Sequence, residues 1–310
     1  MNKTILITGG AGNIGSALAQ KLALVKSNHI IIFDNLITGS REKVPSLDNV
    51  AFELGDVNVN SDISVVFSKY HIDYVFHFAA LVGVQRTLTN PLSVLSDVDG
   101  IKNILNLSVE YNIKRVFYSS SSEVYGEPFE IPQNEKTTPL NSYLPYAVVK
   151  NIGEVYFRTY QKEYGLDYTI FRFFNTYGAH QSTDFVVPRF VTKAINHESI
   201  EIYGDGSQTR SFCWVEDNID TCINCLINDH GINEVINVGS DVEITIKYLA
   251  QRIIELAKSK SQIMFVSALE EGDMTRRCPD ITKMKLILNR ELLPLDHGIN
   301  KMISYHAQRR

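Results

Sequence analysis

Tyr146 and Lys150 stand at i and i+4 in "YAVVK". On a helix that spacing puts a phenol and an ammonium on one face. A positive charge beside a phenol favours the phenolate and lowers its pKa from about 10. The pair is therefore suited to taking a proton from an alcohol near neutral pH. The same spacing arises by accident on many helix surfaces, so its weight comes from its surroundings. "SSSSEVYG", Ser119 to Gly126, precedes it and follows the apolar segment "IKRVF". A serine run alone reads as a linker. After a buried strand it reads as the rim of a site, with hydroxyls beside one carboxylate, Glu123.

A second arrangement lies near the N-terminus. Gly9, Gly12 and Gly15 are spaced G-x-x-G-x-x-G, with Asn13 and Ile14 between the last two. Glycines there permit a tight turn and close backbone approach, and the helix that follows offers free N–H groups to a pyrophosphate. Asp34 ends the next apolar run, placed to accept from an adenosine ribose diol and to repel a 2′-phosphate, which favours NAD. Asp56 and Val57 end the third strand, where an adenine edge fits.

These residues need a scaffold. The first half alternates strand and helix: strands at "TILITG", "HIIIFD", "VAFELGDV", "YVFHFAA", "KRVFYSS" and "YTIFRFFNTYG", with a single long helix from Pro91 to Tyr111 and another from Tyr146 to Tyr164. Continuous apolar runs suit parallel strands buried on both faces. The expectation is an α/β Rossmann fold, a doubly wound parallel sheet, with a smaller C-terminal α/β substrate-binding domain. Residues 1–178 plus about 211–239 would form the first, and 179–210 plus 240–310 the second. The later elements are shorter: helices in "VVPRFVTKAINH", Val215 to Asn228, "IKYLAQRIIELAKS" and from about His297, and strands in "IEIYG", "EVINVG" and "QIMFVS". The second part closes a cleft at the carboxyl ends of the strands.

The chain has 310 residues and a formal net charge of -5. Basic residues are scattered, which speaks against a nucleic-acid face. Cys222 and Cys225 form a C-x-x-C inside a helical segment, with no second pair to complete a zinc set, so they read as packing and no metal is expected. The N-terminus runs straight into a strand without a signal peptide, and no stretch is apolar and long enough to span a membrane. With so few cysteines, a cytoplasmic protein is expected.

Together, "TGGAGNIG", "DNL", "GDV", "HFAA", "SSSEVYG", "YAVVK", "RFFNTYG", "IYGDGSQTRSFCWVED" and "TRRCPDI" resemble the extended short-chain dehydrogenase/reductase family, in particular its NAD-dependent nucleotide-sugar epimerases, dehydratases and decarboxylases. The resemblance covers nearly the whole chain. It implies bound NAD, with Asn35 and Ala79 joining the cofactor residues above. It implies Ser121 as the hydroxyl partner of Tyr146, and Lys150 as the holder of the nicotinamide ribose. Asn175, Val187, Gln208 and Arg210 would line the nucleotide-sugar pocket, and Arg277 would reach the sugar C6 region or the diphosphate. It also implies a homo-oligomer, at least a dimer, paired through the two long helices.

The family chemistry begins with oxidation at C4 of the sugar. Ser122 stands where dehydratases carry Asp, which argues against 4,6-dehydration. Glu123 and Arg277 resemble the UDP-glucuronate decarboxylases, with Glu123 either moving a proton or holding an arginine. Ala179-His180 departs from the Pro-Arg of decarboxylases and many epimerases. The resulting expectation is a nucleotide-sugar 4-dehydrogenase or 4-epimerase in surface polysaccharide synthesis. The alternatives are a UDP-glucuronate decarboxylase and, less favoured, a 4,6-dehydratase or a non-catalytic NAD sensor. His180 reads as a loop histidine and Trp214 as packing.

Overall fold

The computed structural model describes residues 2–83, 89–267 and 276–308. Parallel strands β1 (Thr4–Thr8), β2 (His29–Asp34), β3 (Val50–Leu54), β4 (Tyr74–His77), β5 (Arg115–Ser121) and β6 (Tyr168–Phe173) lie in the order β3-β2-β1-β4-β5-β6, with a seventh parallel strand, Glu234–Val238, outside β6. In β1 the side chains alternate: Ile5 and Ile7 join one core and Leu6 the other. Both faces are buried, which is why the strand is apolar at Ile5, Leu6 and Ile7. Helices α1 (Asn13–Ala23), α2 (Asn60–Lys69), α3 (Pro91–Leu95), α4 (Asp97–Glu110) and α5 (Pro145–Tyr164) connect the strands. Chain direction across the sheet reverses between β1 and β4, the switch point at which α/β sheets bind ligands.

The segment expected as one helix from Pro91 is two. Between α3 and α4 the Ser96 hydroxyl donates to the Ser93 carbonyl at 2.7 Å, a local bond that competes with helical continuity. Asp97 then begins α4. The sixth strand is also shorter than its apolar run. It stops at Phe173, Asn175 takes a positive φ of 31°, and the chain resumes as β7 (Thr176–Tyr177). Asn tolerates that region through its short polar side chain, and Asn175 Nδ2 donates to the Ser211 carbonyl at 2.9 Å.

Beyond β7 come α6 (Val186–Ile195), β8 (Ile200–Tyr203), β9 (Thr209–Ser211), β10 (Cys213–Trp214), α7 (Val215–Ile227), β11 (the seventh strand), β12 (Glu243–Thr245), α8 (Ile246–Leu256), β13 (Ile263–Val266), α9 (Thr282–Leu288) and α10 (Leu295–Ala307). These strands pair as β7 with β10, β8 with β13 and β9 with β12. β9, β10, β12 and α9 have no counterpart in the sequence reading, because pieces of two to seven residues carry no readable period. Cys222 and Cys225 are fully buried on α7 and burial raises their thiols, so they pack and do not react. The Trp214 ring packs edge-on against Tyr177 at 5.3 Å. Among the described residues no helix is long and apolar enough to cross a membrane.

A buried ionic network fixes α5 against the sheet. Glu154, 0% exposed, accepts from Arg172 on β6 at 2.8 and 2.7 Å and from the Ser120 hydroxyl on β5 at 2.7 Å. Arg172 also donates to the Tyr125 hydroxyl at 2.7 Å, which donates in turn to Asn237 on β11 at 2.7 Å. Burial works against the Arg172 charge, but the Glu154 bonds outweigh it and hold the pKa above its ordinary value. Beside Glu154, Gly153 lets α5 approach β5, since a Cβ there would overlap the Tyr118 hydroxyl. Removing one partner of a buried pair leaves the other charge stranded, at a cost of about 3–5 kcal/mol. Glu154→Ala is expected to lose that much in urea unfolding, whereas Arg158→Ala, which removes a partly exposed contact to the same carboxylate, is expected to lose under about 1 kcal/mol.

Candidate functional site

The carboxyl ends of β2, β1, β4, β5 and β6 open into one cavity of about 680 Å³. Gly9, Gly12, Asn13, Ile14 and Gly15 form its floor beside Asp34, Asn35, Asp56, Val57 and Ala79. The glycines are sterically required at two points. Gly9 has φ +69° and a Cβ there would meet the Ala79 nitrogen at 2.6 Å, while a Cβ on Gly15 would overlap the Gly9 carbonyl. Gly12 caps α1 without a side-chain bond and no acid lies in the first turn. The α1 N-terminus therefore presents N–H groups and a positive dipole end to an anion. Asp34 accepts from the Ala11 and Leu36 amides at 2.9 and 2.8 Å, which orients its carboxylate at the cavity wall. Asp56 and Val57 lie just beyond the end of β3, not within it. These residues fit a dinucleotide: anion-binding amides at the turn and a fixed acceptor one strand away.

The other arm holds the residues expected to react. β5 ends at Ser121, whose hydroxyl accepts from the Glu123 amide at 3.2 Å and caps a single 3₁₀ turn, Ser122–Tyr125. That turn swings Glu123 toward Arg277, with 2.9 Å between Oε1 and Nη1. Tyr146 opens the first turn of α5 and is hydrogen-bonded to Ser121. Lys150, 3% exposed, lies one turn on, its Nζ 3.4 Å from Ser119 Oγ and 5.7 Å from the Tyr146 ring centre. Ser121, Glu123, Tyr146, Lys150, Asn175 and Arg277 all line the cavity.

The electrostatics differ from the expectation for the Tyr–Lys pair. Tyr146 is raised, not lowered, by burial first and then by the Glu123 charge; Ser121 and Arg277 are the groups that favour its phenolate. Burial pulls Lys150 down to about 8, opposed by Asp97. The spacing rule brings the two side chains together but takes no account of desolvation, which here exceeds the pairwise attraction.

Three expected pocket residues are not in the described lining of this cavity, and their described contacts are local. Val187 is on the buried face of α6, in the core. Gln208 Nε2 donates to the Tyr203 carbonyl at 3.1 Å, and Arg210 to the Thr209 carbonyl at 2.7 Å. None of the three lines the cavity bounded by the described residues. In the "TRRCPDI" segment, Thr275 lies outside those residues. His180 lies at the mouth, its ring 5.4 Å from Tyr305 and its Nδ1 3.5 Å from Ser16 Oγ. Asp97 and Lys43 were not singled out by sequence, since a lone acid or lysine gives no spacing signal; His77 opens the HFAA motif but carried no role there. Asp97 and Lys43 line the cavity. His77 is buried behind it, bonded to Thr8 at 2.8 Å. No cluster of three metal-ligating side chains occurs among the described residues.

The model of the NAD dependent epimerase/dehydratase family matches residues 5–239. UDP-glucuronic acid decarboxylase 1 of Danio rerio is 35% identical over 99% of this chain and 73% of that protein. A putative UDP-glucose 4-epimerase of Methanocaldococcus jannaschii is 32% identical over 97% of each. The solved UDP-glucose 4-epimerase of Thermotoga maritima, with UDP-glucose, superposes with TM-score 0.93 at 29% identity, covering 100% of this chain and 99% of that one. The cofactor of this chain is NAD.

His77 gives the site a pH signature. Burial first, then the Lys150 charge, lowers it to about 3 from 6.5. Between those values the unfolded chain binds a proton that the folded chain refuses, so stability rises with pH across the window and falls as acid is added. Urea unfolding from pH 7 to 4 should show a steeper loss in the wild type than in His77→Asn; equal slopes would contradict the assignment.

Proposed function

We propose that this chain, which belongs to the NAD dependent epimerase/dehydratase family, oxidises the C4 hydroxyl of a nucleotide-linked sugar. The observation that carries this is the convergence of Ser121, Tyr146 and Lys150 on the cavity whose other arm is the glycine turn and Asp34. Bound NAD supplies a cationic ring that accepts a hydride and can return it. Tyr146 takes the C4 hydroxyl proton, and the Ser121 hydroxyl polarises the developing ketone. Lys150 donates to ribose hydroxyls and keeps positive charge near the phenol. The raised Tyr146 keeps its proton in the resting cavity, so phenolate forms only when positive charge and substrate arrive. Residues 179–210 and 240–310 would hold the nucleotide sugar.

For the net reaction we favour decarboxylation of a uronate. A ketone at C4 turns a C6 carboxylate into a β-keto acid, which loses carbon dioxide and leaves an enolate to be protonated at C5. Arg277 suits that carboxylate through its planar fork, and Glu123 orients Arg277 at the Tyr146 end of the cavity. Similarity to the Danio rerio decarboxylase supports the same outcome. A second reading, 4-epimerisation, is supported by similarity to the Thermotoga maritima enzyme. Leu92 and Leu95 on α3 and Ile152 and Val155 on α5 are exposed apolar residues, which we propose pair with a second copy; light scattering should then give twice the chain mass.

The protein is to be incubated with NAD and UDP-glucuronate, UDP-N-acetylglucosaminuronate, UDP-glucose and UDP-N-acetylglucosamine. Carbon dioxide release from a uronate is the expected result. An isomer of unchanged mass from a neutral sugar would replace it with the epimerase reading, and reduced cofactor in step with ketone would indicate a dehydrogenase. Tyr146→Phe should lose at least about 100-fold in kcat, with its melting temperature retained. Wild-type rates in that variant would overturn the role of Tyr146.

A further inference from the structure

We propose that His180 is a further cofactor-binding residue, its imidazole closing the phosphate end of the dinucleotide site at the cavity mouth. The inference rests on NAD as the cofactor and on none of the reactions weighed above. The phosphate end is the start of α1, where Gly12, Asn13 and Gly15 line the cavity and the helix presents its first N–H groups. His180 lines the same cavity. Its Nδ1 lies 3.5 Å from the hydroxyl of Ser16, whose amide closes the first turn of α1 on the Gly12 carbonyl at 3.1 Å. The segment that carries His180 runs close along this helix: a Cβ on Gly178 would meet Val215 at 2.7 Å and Asn13 Oδ1 at 3.2 Å. Gln181, the next residue, is anchored by its Nε2 bond to the Thr176 carbonyl at 2.7 Å. Residues 178–181 are thereby fixed against the dinucleotide arm, and the imidazole is the group they hold over it.

An imidazole suits this place chemically. The Ser16 hydroxyl has one hydrogen and two acceptors within reach, the Asn13 carbonyl at 3.4 Å and His180 Nδ1 at 3.5 Å. When that hydrogen goes to Nδ1, the ring carries its own proton on Nε2 and offers an N–H to an anion. The ring is backed by the C-terminal helix. Tyr305, in the last turn of α10, stands 5.4 Å from it at an interplanar angle of 53°, within the range of aromatic pairing. The other end of α10 is docked beside β7. The Tyr177 hydroxyl donates to the Leu295 carbonyl at 3.3 Å, and Gly298 leaves room for that hydroxyl, which a Cβ would overlap. Between the two ends Lys301 lies over the Trp214 ring at 5.7 Å. The last helix of the chain thus seats a residue at the mouth of a site whose floor is built by the first.

The test is calorimetric titration of the full chain, freed of nucleotide, with NAD, ADP-ribose, adenosine and UDP. His180→Ala should bind NAD and ADP-ribose about tenfold more weakly, the size expected for one hydrogen bond to a charged group. It should bind adenosine, which has no phosphate, as the wild type does. His180→Phe keeps a ring against Tyr305 but offers no N–H, and should lose the same amount. His180→Gln restores a side-chain N–H and should return most of the affinity. Tyr305→Ala removes the ring behind the imidazole and should weaken NAD about threefold. Unchanged NAD affinity in His180→Ala, or wild-type affinity in His180→Phe, overturns the inference. So does an equal loss for adenosine, which would mark a packing role. A loss for UDP in place of NAD overturns it as well, by giving the imidazole to the diphosphate of the nucleotide sugar.

Discussion

The Glu154–Arg172 pair is the constraint on which the site depends. It joins α5 to β6, and through Ser120 and Tyr125 it reaches β5 and the turn that carries Glu123. Tyr146 and Lys150 ride on α5, whereas Ser119 and Ser121 belong to β5. Their registration is therefore set by a carboxylate that none of the proposed chemistry uses. A buried pair of this kind contributes little net stability against an apolar replacement, but it accepts few alternative geometries because each lost bond strands a charge. Gly153 serves the same end sterically by letting the helix close on Tyr118.

The cavity places opposite demands on its two arms. The glycine turn offers backbone N–H groups and a helix end, which need no titration and act at any pH. The reactive arm consists of ionisable groups moved from their ordinary values by burial: Tyr146 upward, Lys150 downward, His77 downward to neutrality. Such shifts are expected where a low-dielectric cleft must hold a proton until substrate arrives. Glu123 and Arg277 are a separate device. Their pairing at 2.9 Å brings a carboxylate near the phenol without leaving it uncompensated.

Much of this was written in the chain. The alternating apolar runs carry the doubly wound sheet, because a strand covered on both faces must be apolar at successive positions. G-x-x-G-x-x-G between a strand and a helix carries the dinucleotide turn, because only glycine avoids the contacts at Gly9 and Gly15. The spacing of Tyr146 and Lys150 and the serines before Glu123 pick out side chains that meet in the cavity. These features are local: each depends on neighbours within one element and the next.

What tertiary structure alone decided lies between distant segments. Glu123 finds Arg277 from far along the chain, and Asp97 finds Leu81 and Asn58. Val187 packs into the core, and Gln208 and Arg210 bond to nearby carbonyls. The direction of the Tyr146 shift was likewise beyond a spacing rule, since i,i+4 geometry fixes the distance between two groups but not the water removed from around them. Sequence by itself determined the alternating strands and helices of the central sheet and the residue types at the strand ends. Packing decided which of those meet and in what protonation state, because desolvation and long-range pairing exist only once the chain has closed.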